Sequence, residues 1–75
     1  MIDQMVIDII AQILGTEASG IEENTLLLED LGANSLDIVE IVTELEDTLK
    51  ITIPDEVIPG FKTVGELIGF VRECK

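Results

Sequence analysis

Leu31-Gly32-Ala33-Asn34-Ser35-Leu36-Asp37 decides the reading of this chain. A region without sustained period ends here, and the strongest helical pattern in the sequence begins. Asn34 and Ser35 are both helix-capping types, whose side-chain oxygens accept hydrogen bonds from the free N–H groups of a first turn. Asp37 follows Asn34 at capping-box spacing, with Asp where Glu is usual. The Ser35 hydroxyl is therefore expected at a helix N-terminus, beside a small residue and a glycine, facing solvent. A phosphate esterified there would meet the positive end of the helix dipole.

Downstream, the pattern predicts a helix from Ser35 to Leu49. Ile38, Ile41, Val42, Leu45 and Leu49 form one apolar stripe, the expected core face. At 100° per residue, Leu36, Val39 and Thr43 fall on nearly the opposite side. Glu40, Glu44 and Asp47 border that second stripe on one flank and Glu46 on the other. An apolar centre with a charged rim is how a modest protein interface is built. A solvated face with two stray hydrophobes has the same pattern, since single exposed apolar residues are common. Taken alone, the residues leave both open.

Upstream, Asp3 to Leu14 reads as an amphipathic first helix, with Ile2, Val6, Ile9, Ile10, Ile13 and Leu14 on one face and Gly15 as its stop. Residues 15–34 make a long connection. Ile21, Leu26, Leu27, Leu28 and Leu31 are expected to pin it to the core, with a short helical turn on the way. Past the second helix, Ile51-Thr52-Ile53 reads as an extended link that inserts Ile51 or Ile53 into the core. Pro54 opens a third helix of about one turn, Asp55 to Ile58, stopped by Pro59-Gly60. Thr63-Val64-Gly65-Glu66 matches a capping box and opens a fourth helix to about Cys74, burying Val64, Leu67, Ile68 and Val71. Gly65 and Gly69 share a spacing that would admit a close backbone approach. The expected fold is all-α: a single domain over residues 1–75, built as a small four-helix bundle with a long loop between helices 1 and 2 and a very short helix 3.

Composition narrows the function. Seventy-five residues with 47% apolar content form a small core, not a disordered chain. Sixteen acids stand against four bases (Lys50, Lys62, Arg72 and Lys75), a net charge of −12. Such a chain repels nucleic acid and anionic membranes and attracts partners with basic surfaces. The lone Cys74 cannot form an internal disulfide, which suits a reducing compartment. Without histidine, Ser–His catalysis and histidine metal sites are excluded. Glu40, Glu44 and Asp47 do not form a calcium loop, and Asp37 with Glu40 is a solvated pair rather than an acid–base couple. No segment is long enough to span a bilayer, and the acidic N-terminus does not read as a signal peptide. The reading is a cytoplasmic monomer that is not an enzyme and holds no metal.

Gly32-Ala33-Asn34-Ser35-Leu36 resembles the serine motif of acyl carrier proteins, in which Gly-x-Asp-Ser-Leu opens the second helix. The resemblance continues through Glu29-Asp30-Leu31-Gly32 and Ile53-Pro54-Asp55-Glu56 and spans nearly the whole chain. Asn34 departs from it, standing where the family usually has aspartate. The resemblance implies that a phosphopantetheinyl transferase attaches 4'-phosphopantetheine to Ser35 from coenzyme A. The arm's thiol would carry acyl groups as thioesters to the enzymes of fatty acid synthesis. It further implies a partner surface of Leu36, Asp37, Val39, Glu40, Thr43, Glu44, Glu46 and Asp47. It implies an acyl pocket lined by Leu27, Leu45, Ile53, Ile58 and Phe61. A specialised polyketide, aminoacyl or lipid carrier, or an adaptor that never receives the arm, are the alternatives.

Overall fold

The computed structural model describes residues 2–74. Three α-helices, α1 (Ile2–Leu14), α2 (Ser35–Leu49) and α3 (Val64–Cys74), alternate with two 3-10 segments, η1 (Ala18–Gly20) and η2 (Asp55–Gly60). Both α2 and α3 pack on α1, and η2 packs on α2.

The core follows the helical periods. All five residues of the expected α2 stripe are buried, and so are Val64, Leu67, Ile68 and Val71 of α3. Each such side chain contributes on the order of 1.5–3 kcal/mol by leaving water. On α1 the buried set is Val6, Ile9, Ile10 and Ala11. Ile2, Ile13 and Leu14 are only half-buried at its ends, packed against the edge of the core. Its N-terminal turn is tied to the end of α3 by a fork between the Arg72 guanidinium and the Asp3 carboxylate.

The capping box that opens α3 forms as read. Thr63 Oγ1 accepts the Glu66 N–H at 3.1 Å, and Glu66 Oε1 accepts the N–H groups of Thr63 and Lys62 at 3.0 and 2.7 Å. These two backbone donors, that of Lys62 foremost, hold the Glu66 carboxyl below its ordinary pKa.

The segment read as a third helix is a 3-10 helix, and it runs through Pro59 and Gly60 rather than stopping before them. Proline's fixed φ suits 3-10 geometry, and its missing donor costs little in so short a run. The Phe61 N–H closes the segment on the Ile58 carbonyl. Ahead of it, Ile53 is buried and Ile51 half-buried, as an extended link requires.

The long connection is held by a feature the sequence reading lacked. Leu26 and Thr63 form an isolated antiparallel bridge: the Leu27 N–H donates to the Lys62 carbonyl at 2.9 Å and the Val64 N–H to that of Thr25 at 3.0 Å. Past Leu26 the chain turns at once, with Leu27 and Leu28 already in the turn. Leu27 is buried with no exposure, and Leu28 is 56% exposed. Leu28 is not the core anchor expected of it. Gly65 explains how the loop lies so close to α3. A Cβ there would sit 2.9 Å from the Glu23 carbonyl oxygen, which accepts the Gly65 N–H at 2.7 Å. Gly69 has no such neighbour.

Candidate functional site

The loop delivers the chain to α2 through a tight turn. The Asp30 N–H donates to the Leu26 carbonyl, that of Gly32 to Leu28 and that of Ala33 to Leu27. Asp30 Oδ2 accepts the Leu26 N–H at 2.9 Å. Gly32 takes φ +71°, a left-handed conformation that glycine adopts without a Cβ penalty. Ala33 is buried just after it, which fixes the height at which α2 begins.

Asn34 is the N-cap, in extended conformation. Its Oδ1 accepts the Asp37 N–H at 2.9 Å, and Asp37 Oδ2 accepts the Asn34 N–H at 3.1 Å. The reciprocal box is complete with Asp in place of Glu. Ser35 is thus not the cap but the first helical residue. Its side chain is exposed and forms no hydrogen bond among the described residues. With Asp37 capped and Ile38 bonded to the Asn34 carbonyl, the N–H groups of Ser35 and Leu36 remain the open donors of the first turn. A tetrahedral anion esterified to Ser35 would find those donors and the positive helix end together.

Ser35 also borders an apolar cleft of about 550 Å³ between α2 and η2. Ile38 and Val39 of α2 line one side, Asp55, Ile58 and Pro59 of η2 with Phe61 the other, and Leu28 of the connection completes the lining. Only Ile58 and Phe61 of the expected pocket residues line this cleft. Leu27, Leu45 and Ile53 lie in the sealed core beneath it, each 3% exposed or less.

The remaining residues of the expected surface stand on the outer face of α2. Leu36 is 73% and Val39 49% exposed, and Glu40, Thr43, Glu44 and Asp47 are exposed around them. Three carboxylates of that set already have partners within the chain: Asp37 closes the capping box, Glu44 accepts the Thr48 hydroxyl at 3.3 Å, and Glu46, half-buried, accepts the Ile53 N–H at 2.7 Å.

Residues 4–71 match the family model described as the phosphopantetheine attachment site. The chain belongs to that family of carrier proteins. Acyl carrier proteins of Clostridium perfringens, from strains SM101 and 13, are 44% identical to it over 66 residues, covering 88% of this chain and 87% of theirs. A solved structure of a Mycobacterium tuberculosis protein assigned as an acyl carrier protein superposes with a TM-score of 0.92 at 34% identity, covering 97% of each chain. The carrier is therefore not an enzyme; it bears acyl groups, and its cofactor is 4'-phosphopantetheine. Family members serve acyl-processing enzymes and are substrates of phosphopantetheinyl transferases. No helix among the described residues is long and apolar enough to cross a membrane.

Proposed function

We propose that Ser35 is the attachment residue and that this carrier presents acyl groups to the enzymes of fatty acid synthesis. The supporting observation is the exposed, unpaired Ser35 hydroxyl at the N-terminus of a fifteen-residue helix, at the mouth of an apolar cleft. In the transfer, Ser35 Oγ displaces the nucleotide portion of coenzyme A at phosphorus. One phosphodiester bond forms, one phosphoanhydride bond breaks, and the hydroxyl proton leaves to solvent or to the transferase. When attached, the arm supplies a thiol that holds the acyl group as a thioester.

The chain's own part is to expose the hydroxyl, stabilise the phosphate with open amides and offer a docking face. On that face Leu36 and Val39 form the apolar centre, and Glu40, Glu44 and Asp47 the acidic rim. Such a rim speeds encounter with basic enzyme surfaces and loses its pull in salt. The small patch suits weak, transient binding, which a carrier requires. The same reading takes the chain as a monomeric single domain working in the cytoplasm.

Incubation with coenzyme A and a promiscuous phosphopantetheinyl transferase tests it. The intact mass rises by one arm in the natural chain and stays unchanged in Ser35→Ala. No gain in the natural chain would favour the unmodified adaptor.

A further inference from the structure

Leu28, Leu36 and Val39 are the large hydrophobic side chains that stand exposed among the described residues. Exposed apolar residues scattered singly are ordinary. These three are not scattered. Leu36 follows Ser35 in the chain, and Leu28 and Val39 border the same cleft as Ser35. Leu36 and Val39 belong to α2, but Leu28 belongs to the connection. The apolar surface around the serine therefore extends beyond the helix.

Leu28 is held out by a hydrogen-bonded turn. The Leu27 N–H donates to the Lys62 carbonyl on one side of it, and the Leu28 carbonyl accepts the Gly32 N–H on the other. Asp30 closes the turn from within: its N–H donates to the Leu26 carbonyl at 3.0 Å, and its Oδ2 accepts the Leu26 N–H at 2.9 Å. A contact made at Leu28 thus has little backbone left to order on binding. Glu29, next to it, is exposed and adds negative charge there, as Glu40 does next to Val39. The apolar centre and acidic rim of the α2 face continue onto the connection.

We infer that Leu28 is a docking residue for the phosphopantetheinyl transferase, which grips the carrier from the connection as well as from α2. The inference rests on Ser35 being the attachment residue. The transferase acts on the hydroxyl itself. Its surface must close over Ser35 to bring the phosphorus of coenzyme A to Oγ, and the apolar groups bordering that oxygen leave water in the complex. The partner that fits has an apolar patch beside its phosphate site, set within a basic surround.

The test measures binding rather than reaction. The full, unmodified chain is titrated with a promiscuous phosphopantetheinyl transferase without coenzyme A, so neither arm nor acyl group is present. Leu28→Ala should raise the Kd about tenfold, the effect of an interface side chain that matters. Leu28→Met keeps an apolar side chain of similar volume and should stay within about twofold of the natural chain. Both variants should unfold at nearly the natural temperature, because the side chain is exposed. In the natural chain, amide chemical shifts should move at Leu28 and Glu29 as well as at Leu36 and Val39. Equal Kd values for Leu28→Ala and the natural chain would overturn the inference, and so would shifts confined to α2. The shift map needs no variant, so it decides the matter even where Leu28→Ala fails to fold. A natural chain that binds but gains no mass at Ser35 once coenzyme A is added counts against the attachment reading instead. A natural chain that does not bind overturns both.

Discussion

Glu46 Oε2 accepts the backbone N–H of Ile53 at 2.7 Å. The carbonyl of the same residue accepts the N–H groups of Lys50 and Ile51. One residue of α2 thus ends its helix and straps the linker that leads to η2, the opposite wall of the cleft. Its acidic side chain faces the fold more than any visiting enzyme. Glu46→Ala should destabilise the chain by about 1.5–3 kcal/mol, the usual range for a hydrogen bond to a charged group. Hydrogen exchange at the Ile53 amide should quicken with it. Unchanged exchange at Ile53 would mean the strap does not hold the linker.

The cap of α2 can be separated from the chemistry beside it. Asn34→Ala removes the acceptor for the Asp37 N–H and should cost about 1 kcal/mol in thermal or urea unfolding. Asn34→Asp keeps the acceptor, so its folding should be nearly intact. It adds a negative charge next to Ser35, and the rate of modification should change. Equal rates for both forms across several transferases would show that the charge is not read.

Lys50 ends α2 at φ 59° and ψ 48°, a left-handed conformation that costs a residue with a Cβ about 1–2 kcal/mol. Both Lys50→Gly and Lys50→Ala remove the charge, but only glycine removes the Cβ. The glycine variant should be the more stable of the two by about 1 kcal/mol, measured as a difference in unfolding free energy. Equal stabilities would contradict the assigned backbone.

Glu66 gives a pH signature. Its pKa is lowered in the folded chain by the Lys62 and Thr63 amides. Its contribution is therefore present above the ordinary glutamate range, near pH 4.3, and fades as pH falls through the lower, folded value. Glu66→Gln cannot titrate. The stability gap between the natural chain and Glu66→Gln should be widest at neutral pH and should narrow on acidification. A gap that is constant down to pH 3 would refute the assignment.

The sequence made the helices legible because their apolar positions repeat at the helical period. All five core residues of α2 and the box around Asn34 and Asp37 follow from spacing alone. The connection was harder. Thr25 to Leu28 has no helical period, and three successive leucines look like three anchors. The bridge partner that positions them, Thr63, lies far along the chain, so nothing local distinguishes buried Leu27 from exposed Leu28. The cleft inherits the same difficulty. Of the residues the resemblance implies for an acyl pocket, Ile58 and Phe61 line the cleft, and Leu27, Leu45 and Ile53 are buried in the core. Whether a buried aliphatic residue borders a cavity depends on packing, which periodicity does not encode. The duty of Glu46 was hidden likewise, because its partner is a backbone amide seven residues away.

Everything about the carrier's chemistry meets at one oxygen, and fragmentation mass spectrometry locates it. After treatment with coenzyme A and a transferase, the peptide containing Ser35 should carry the phosphopantetheine mass on that residue. Ser19, the chain's other serine, should be unmodified despite its exposure. An arm found on Ser19, or on no residue of the natural chain, would contradict the account.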